Sequence, residues 1–123
     1  MHVAAELLRS RGHSVTEFNF PALGPVRTIP LHSSLSYLEP YIVQNERNKI
    51  SFFTFFHRYG PTADECAKRI AETGPDLLLI SVMAFCYSSP AVNLALLCKE
   101  LYGVPVLAGG AGASVYPWYF LSN

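Results

Sequence analysis

The sequence predicts an α/β fold, a parallel sheet with flanking helices. Three observations carry this reading. Leu77–Met83 (LLLISVM) is an apolar run without alternation, the pattern of a strand covered on both faces of a parallel sheet. A helical pattern from Ser89 to Leu101 follows and leads into a second β-prone run, Val104–Ala108, so the order is β-α-β. Gly109-Gly110-Ala111-Gly112 then closes the second run with residues that tolerate unusual backbone angles and close approach. Strands and helices in this order call for right-handed crossovers.

Size and composition fit one domain. The chain has 123 residues, half of them hydrophobic, and no apolar run reaches the roughly 18 residues of a membrane helix. Nine basic residues offset nine acidic ones and are scattered, so neither a nucleic-acid partner nor an anionic membrane is expected. Cys66, Cys86 and Cys98 are widely spaced, with no C-x-x-C and no C-x-x-x-C-x-x-C. That spacing offers no local zinc or iron–sulfur site and suits free, buried thiols in a reducing cytoplasm. The first residues have no signal-peptide pattern and read as the middle of a helix.

Taken in order, Val3, Ala4, Leu7 and Leu8 make an apolar helical stripe, closed by Gly12 after the basic Arg9 and Arg11. Val15–Phe20 is β-prone and ends at Pro21. A doubly wound sheet begins with a strand, so a first strand ahead of this helix is expected to be missing. Pro21–Pro30 holds three prolines and a glycine, which argues against regular structure. Leu35, Leu38 and Ile42 share a helical face that Pro40 should kink. Phe52, Phe55, Phe56 and Tyr59 fall at i, i+3, i+4, i+7, an aromatic helix face for packing on the sheet or a partner, or for stacking on a ligand.

Gly60-Pro61 ends that helix. Thr62 with Glu65 is a capping box opening the next, whose stripe is Ala63, Cys66, Ala67, Ile70 and Ala71, and Gly74-Pro75 closes it. Ser89-Pro90 starts the crossover helix, with Ala91, Leu94, Ala95, Cys98 and Leu101 as its apolar face and Gly103 as its stop.

In open α/β sheets ligands bind beyond the carboxyl ends of the strands. Two loops lie there, Met83–Ser88 and Gly109–Gly112. The second lacks the last glycine of a dinucleotide fingerprint, since position 115 is Val115, and reads equally as a tight turn or a ligand cradle. His2, His13, His32 and His57 sit on separate segments, so no nucleophile–base pair is legible and no catalytic residue is assigned. Asp64 and Asp76 fit caps. The rings of Tyr116-Pro117-Trp118-Tyr119-Phe120 suit a flat organic ligand or a packed partner.

PDLLLISVMAFCYSSPAVNLALLCKE followed by PVLAGGAGASVYPWYFL resembles the cobalamin-binding-type N-terminal domain of radical SAM proteins. AAELLRSRGHSVTEFNF is similar to that family's first helix and second strand, and HRYGPTADECAKRI to its helix before the third strand. The resemblance implies a Rossmann-like, flavodoxin-like sheet that clasps a corrinoid at the carboxyl ends of its strands. It sets Ser81 and Met83 on the family's serine-x-leucine element and Gly109 and Gly110 on the double glycine that accommodates the nucleotide tail. Phe85, Tyr87 and Gly112 complete the expected cofactor-binding set.

Three departures shape the expectation. The D-x-H-x-x-G motif that gives cobalt a histidine is absent, and His57-Arg58-Tyr59-Gly60 matches only its second half, with Phe55 in the aspartate position. The first strand is missing, as is the C-x-x-x-C-x-x-C of the catalytic cluster. The resemblance therefore implies a cytoplasmic cobalamin-binding module, residues 1–123, truncated at both ends and without a metal-ligating residue of its own. Its partner is a radical SAM catalytic domain in cis, which would hold the iron–sulfur cluster and S-adenosylmethionine. The alternative is a degenerate Rossmann-like scaffold that binds no cofactor and acts through its aromatic segments. A flavin or nucleotide phosphate on the glycine loop is a third reading.

Overall fold

The computed structural model describes residues 2–31, 33–42 and 56–123. In chain order the elements are α1 (His2–Ser10), β1 (Val26–Ile29), α2 (Glu39–Ile42), β2 (Phe56–Tyr59), α3 (Ala63–Ala71), β3 (Leu78–Ser81), α4 (Ser88–Tyr102), β4 (Val106–Gly109), α5 (Ala111–Val115) and α6 (Pro117–Leu121). Short 3-10 helices lie at Phe20–Ala22, Ser33–Leu38 and Phe85–Tyr87. The chain forms two compact units, one of Met1–Phe18 with Thr62–Asn123 and one of Asn19–Pro61. It is a mixed α/β protein with one small parallel and one small antiparallel sheet. Among the described residues no helix is long and apolar enough to cross a membrane.

The larger unit holds the β-α-β arrangement. β3 and β4 run parallel in the register Leu78↔Val106 to Ser81↔Gly109, joined by the 15-residue α4. Thr62 opens α3 with the capping box: its Oγ1 accepts from the Glu65 N–H at 3.2 Å, and its own N–H donates to Glu65 Oε2 at 2.6 Å. The stripe on α3 packs against α4. Ala67, Ile70, Val82 and Cys98 are the most deeply buried apolar side chains, each at most 2 % exposed.

Burial alternates along both strands. Leu78, Ile80, Val106 and Ala108 are half-buried, while Leu79 and Leu107 remain 39 % and 59 % exposed. The apolar run therefore does not sit in a strand covered on both faces. Cover comes from one side, and the pattern of β3 is that of a half-covered strand despite its sequence.

Val15–Phe20 is not a strand either. Among the described residues it joins neither sheet, and a 3-10 turn begins at Phe20. β-prone side chains alone do not make a strand; a hydrogen-bonding neighbour does. The run is instead tied to α1 through Arg9. Arg9 Nη1 donates to Glu17 at 2.9 Å and to Glu6 at 2.6 Å, and its Nη2 donates to the Val15 carbonyl at 2.9 Å.

The smaller unit corrects two further expectations. β1 lies inside the proline-rich stretch, between Pro25 and Pro30, so both prolines stay outside the ladder where their missing N–H costs nothing. Phe56–Tyr59 forms β2, not an aromatic helix face; Phe52 and Phe55 lie outside the described residues. β2 pairs antiparallel with β1, from Val26↔Tyr59 to Ile29↔Phe56. Pro40 stands in the first turn of α2, where the helical path passes from 3-10 to α.

A backbone arch closes this ribbon. Gly60 donates its N–H to the Pro25 carbonyl at 3.2 Å and has φ +91°. A Cβ on Gly60 would strike the Phe20 carbonyl, and one on Gly24 would lie 2.7 Å from Gly60 C. Only glycine fits at either position.

Candidate functional site

The carboxyl ends of β3 and β4 bring two loops together, and Val82 is their keystone. Its N–H donates to the Gly109 carbonyl at 2.8 Å, extending the ladder by one bond. Its carbonyl accepts from the Gly112 N–H, also at 2.8 Å. Gly110, at φ +95°, and Gly112 are pressed against this corner. A Cβ on Gly110 would lie 2.7 Å from Val82 O, and one on Gly112 2.8 Å from both C and O of Ala84. Their glycine identity follows from contact between the two loops. Gly109 differs, because nothing lies within 4 Å of where its Cβ would be.

The expected site residues fall into three groups. Ser81 and Gly109 are opposite one another in the register at the open end of the ladder, and both are exposed. Met83, Phe85 and Tyr87 project from the first loop, 77 %, 50 % and 58 % exposed. Gly110 and Gly112 lie against Val82 and Ala84. What the sequence did not indicate is the part played by Val82 itself, whose backbone laces the loops; its only signal was its place near the end of the apolar run.

Aromatic rings extend this surface. Phe85 meets Tyr116 edge-on at 5.7 Å between centroids and Tyr119 at 5.8 Å, and Tyr119 meets Phe120 at 5.7 Å. Such edge-to-face contacts hold rings in place beyond what area burial supplies. Beside them a shallow recess of about 280 Å³ is lined by Tyr116, Trp118, Tyr119, Leu121 and Ser122. From Val82 to Ser89 and from Gly109 to Asn123 there is no Asp, Glu, Lys, Arg or His. The surface offers rings, a thioether, hydroxyls and the thiol of Cys86, which is exposed on the loop and not buried as expected, so it suits an apolar, planar ligand better than an ionic one.

Ionisable groups lie elsewhere in this unit. His2 Nδ1 and the carboxylates of Glu6 and Glu17 offer ligand atoms within 4.8 Å of one another. Arg9 already bridges both carboxylates, and its donation holds the Glu17 carboxyl below its usual value. Cys98, fully buried on α4, has its thiol pushed up by burial and then by nearby Cys66, so it is a protonated core group.

The larger unit is thus a small parallel β-α-β assembly with an uncharged, ring-rich surface at its strand ends. Comparison with protein-family models, curated proteins and solved structures gives no match.

Proposed function

We propose that the larger unit is a Rossmann-like cobalamin-binding module that holds a corrinoid at the carboxyl ends of β3 and β4. The observation that carries the reading is the lacing of the two strand-end loops through Val82, with Ser81, Met83, Phe85, Tyr87 and Gly109 exposed on and beside them and no charged residue in either loop. The fit is direct for part of the cofactor. The apolar side chains of Met83, Phe85 and Tyr87 suit the face of a macrocycle, and the open space at Gly109 suits a nucleotide tail. Gly110 and Gly112 face Val82 and Ala84, so their part is to shape the corner where the two loops meet rather than to touch the cofactor. No histidine lies on either loop, so this chain leaves the lower cobalt face without an imidazole from them. When bound, the corrinoid supplies its cobalt centre as the reactive group; the chain orients it and shields one face. A radical SAM catalytic domain in the same protein is the partner that would use it, in the cytoplasm.

The scaffold alternative draws on one specific observation, the exposed ring of Trp118 beside the Phe85–Tyr116–Tyr119 contacts. Gel filtration with hydroxocobalamin separates the two. Corrinoid absorbance eluting with the protein, and lost in Gly109→Val, is the expected result. Protein that elutes colourless at corrinoid concentrations up to millimolar would sink the cobalamin reading and leave the scaffold.

A further inference from the structure

The antiparallel ribbon contains a like-charge pairing that no carboxylate among the described residues neutralises. Its register sets Arg27 of β1 directly opposite Arg58 of β2. Residues opposite one another in an antiparallel pair share a face, with Cβ atoms about 4.5–5.5 Å apart, and like charges there are destabilising. A guanidinium cannot shed its proton to relieve the repulsion. Among the described residues no ion pair joins Arg27 or Arg58 to a carboxylate.

The two arginines differ in a useful way. Arg27 is half-buried and anchored, with Nη2 donating to the Gly60 carbonyl at 2.6 Å. Gly60 is itself held by the backbone arch, so this guanidinium has a fixed seat. Its Nε is buried with no acceptor among the described residues. Arg58 is exposed and able to swing toward a ligand. Thr28 and His57 occupy the other face of the ribbon.

We propose that Arg27 and Arg58 together bind the phosphate group of a small molecule. A phosphate presents several acceptor oxygens at once, and the planar guanidinium fork matches pairs of them. Seated between the two side chains, it replaces a like-charge contact with charge-assisted hydrogen bonds to both. The inference rests on the smaller unit alone and stands or falls separately from the corrinoid reading.

The test titrates inorganic phosphate into the full chain at constant ionic strength, set with sodium chloride. Amide chemical shifts of residues 26–29 and 56–59 are the readout. Saturable shifts confined to the ribbon are expected, with a dissociation constant on the order of millimolar. Arg58→Gln should weaken binding by about tenfold or more, and Arg58→Lys should bind between the two because an ammonium keeps the charge without the fork. Acetate should give no saturable response. Shifts that sodium chloride alone reproduces would reduce the pair to two screened surface charges and overturn the proposal. Equal titration by acetate, or wild-type affinity in both Arg58 variants, would overturn it as well. If Arg58→Gln disturbs the ribbon's amide pattern, Arg58→Lys alone decides.

Discussion

The β3–β4 sheet and the β1–β2 sheet each have two strands of four residues, yet they are supported in different ways. The parallel pair leans on side chains: α4 returns the chain across one face, and α3 packs against α4 over Cys66, Ala67, Ile70 and Cys98. The antiparallel pair has little of this, with Val26, Ile29 and Tyr59 between 41 % and 58 % exposed. Among the described residues its support is the backbone, through the Gly60–Pro25 hydrogen bond and the close passage of Gly24, Gly60 and Phe20. Removing buried volume should therefore damage one sheet, and adding a single Cβ should damage the other.

The largest effect is expected at Ile70, which is 2 % exposed on α3. Ile70→Ala removes most of a buried aliphatic side chain, and changes of this kind cost about 2–5 kcal/mol, depending on how far the cavity collapses. Chemical denaturation followed by Trp118 fluorescence, a reporter within the same unit, measures the loss. A cost under about 1 kcal/mol would mean that the α3–α4 contact is not the main support of the parallel sheet.

Gly60→Ala asks the converse question of the ribbon. The substitution strains a backbone with positive φ, by about 1–2 kcal/mol, and adds the collision with the Phe20 carbonyl. Hydrogen exchange should show amide protection lost in β1 and β2 while β3 and β4 keep theirs. Protection lost equally in both sheets would contradict the separate support argued for them.

The same contrast explains how much of the molecule was legible in its sequence. Side-chain patterns announce the elements that side chains hold. The Thr62–Glu65 box, the α3 stripe and the β-α-β order all reappear in the structure, while the crossover helix begins at Ser88 behind Tyr87, so Pro90 stands third in it rather than first. Elements held by backbone pairing left weaker traces. β1 hid among prolines because its four residues fit between two of them, and β2 was masked by aromatic spacing that happens to match a helical turn. Val15–Phe20 failed in the opposite sense, with strand-forming side chains but no place in either sheet among the described residues. At the strand ends the loops and their exposed residues could be named in advance. That Gly110 and Gly112 would face Val82 and Ala84 could not, since it depends on how closely the two loops approach.

The run after α1 belongs to neither mode of support, and pH can isolate it. Its tie is ionic, with Arg9 joining Glu17 and the Val15 carbonyl. Donation from Arg9 is the main cause holding the Glu17 carboxyl below its usual value of about 4.5, with a smaller contribution from His2. A carboxyl whose folded value is lowered stabilises the fold above its unfolded value, and the contribution is lost as pH falls through the folded one. The tie should hold near neutrality and weaken progressively below about pH 4.5, where Glu17 begins to take up its proton. Because the pair is solvent-exposed, the effect should be small and should shrink further in high salt. Carbon-13 NMR of the Glu17 carboxyl measures it directly, and Arg9→Gln should raise the midpoint toward the ordinary value. Amide shifts at residues 13–18 should follow that midpoint while those of β1–β2 and β3–β4 stay still. A Glu17 midpoint unmoved by Arg9→Gln would show that the segment is positioned by something other than this ion pair.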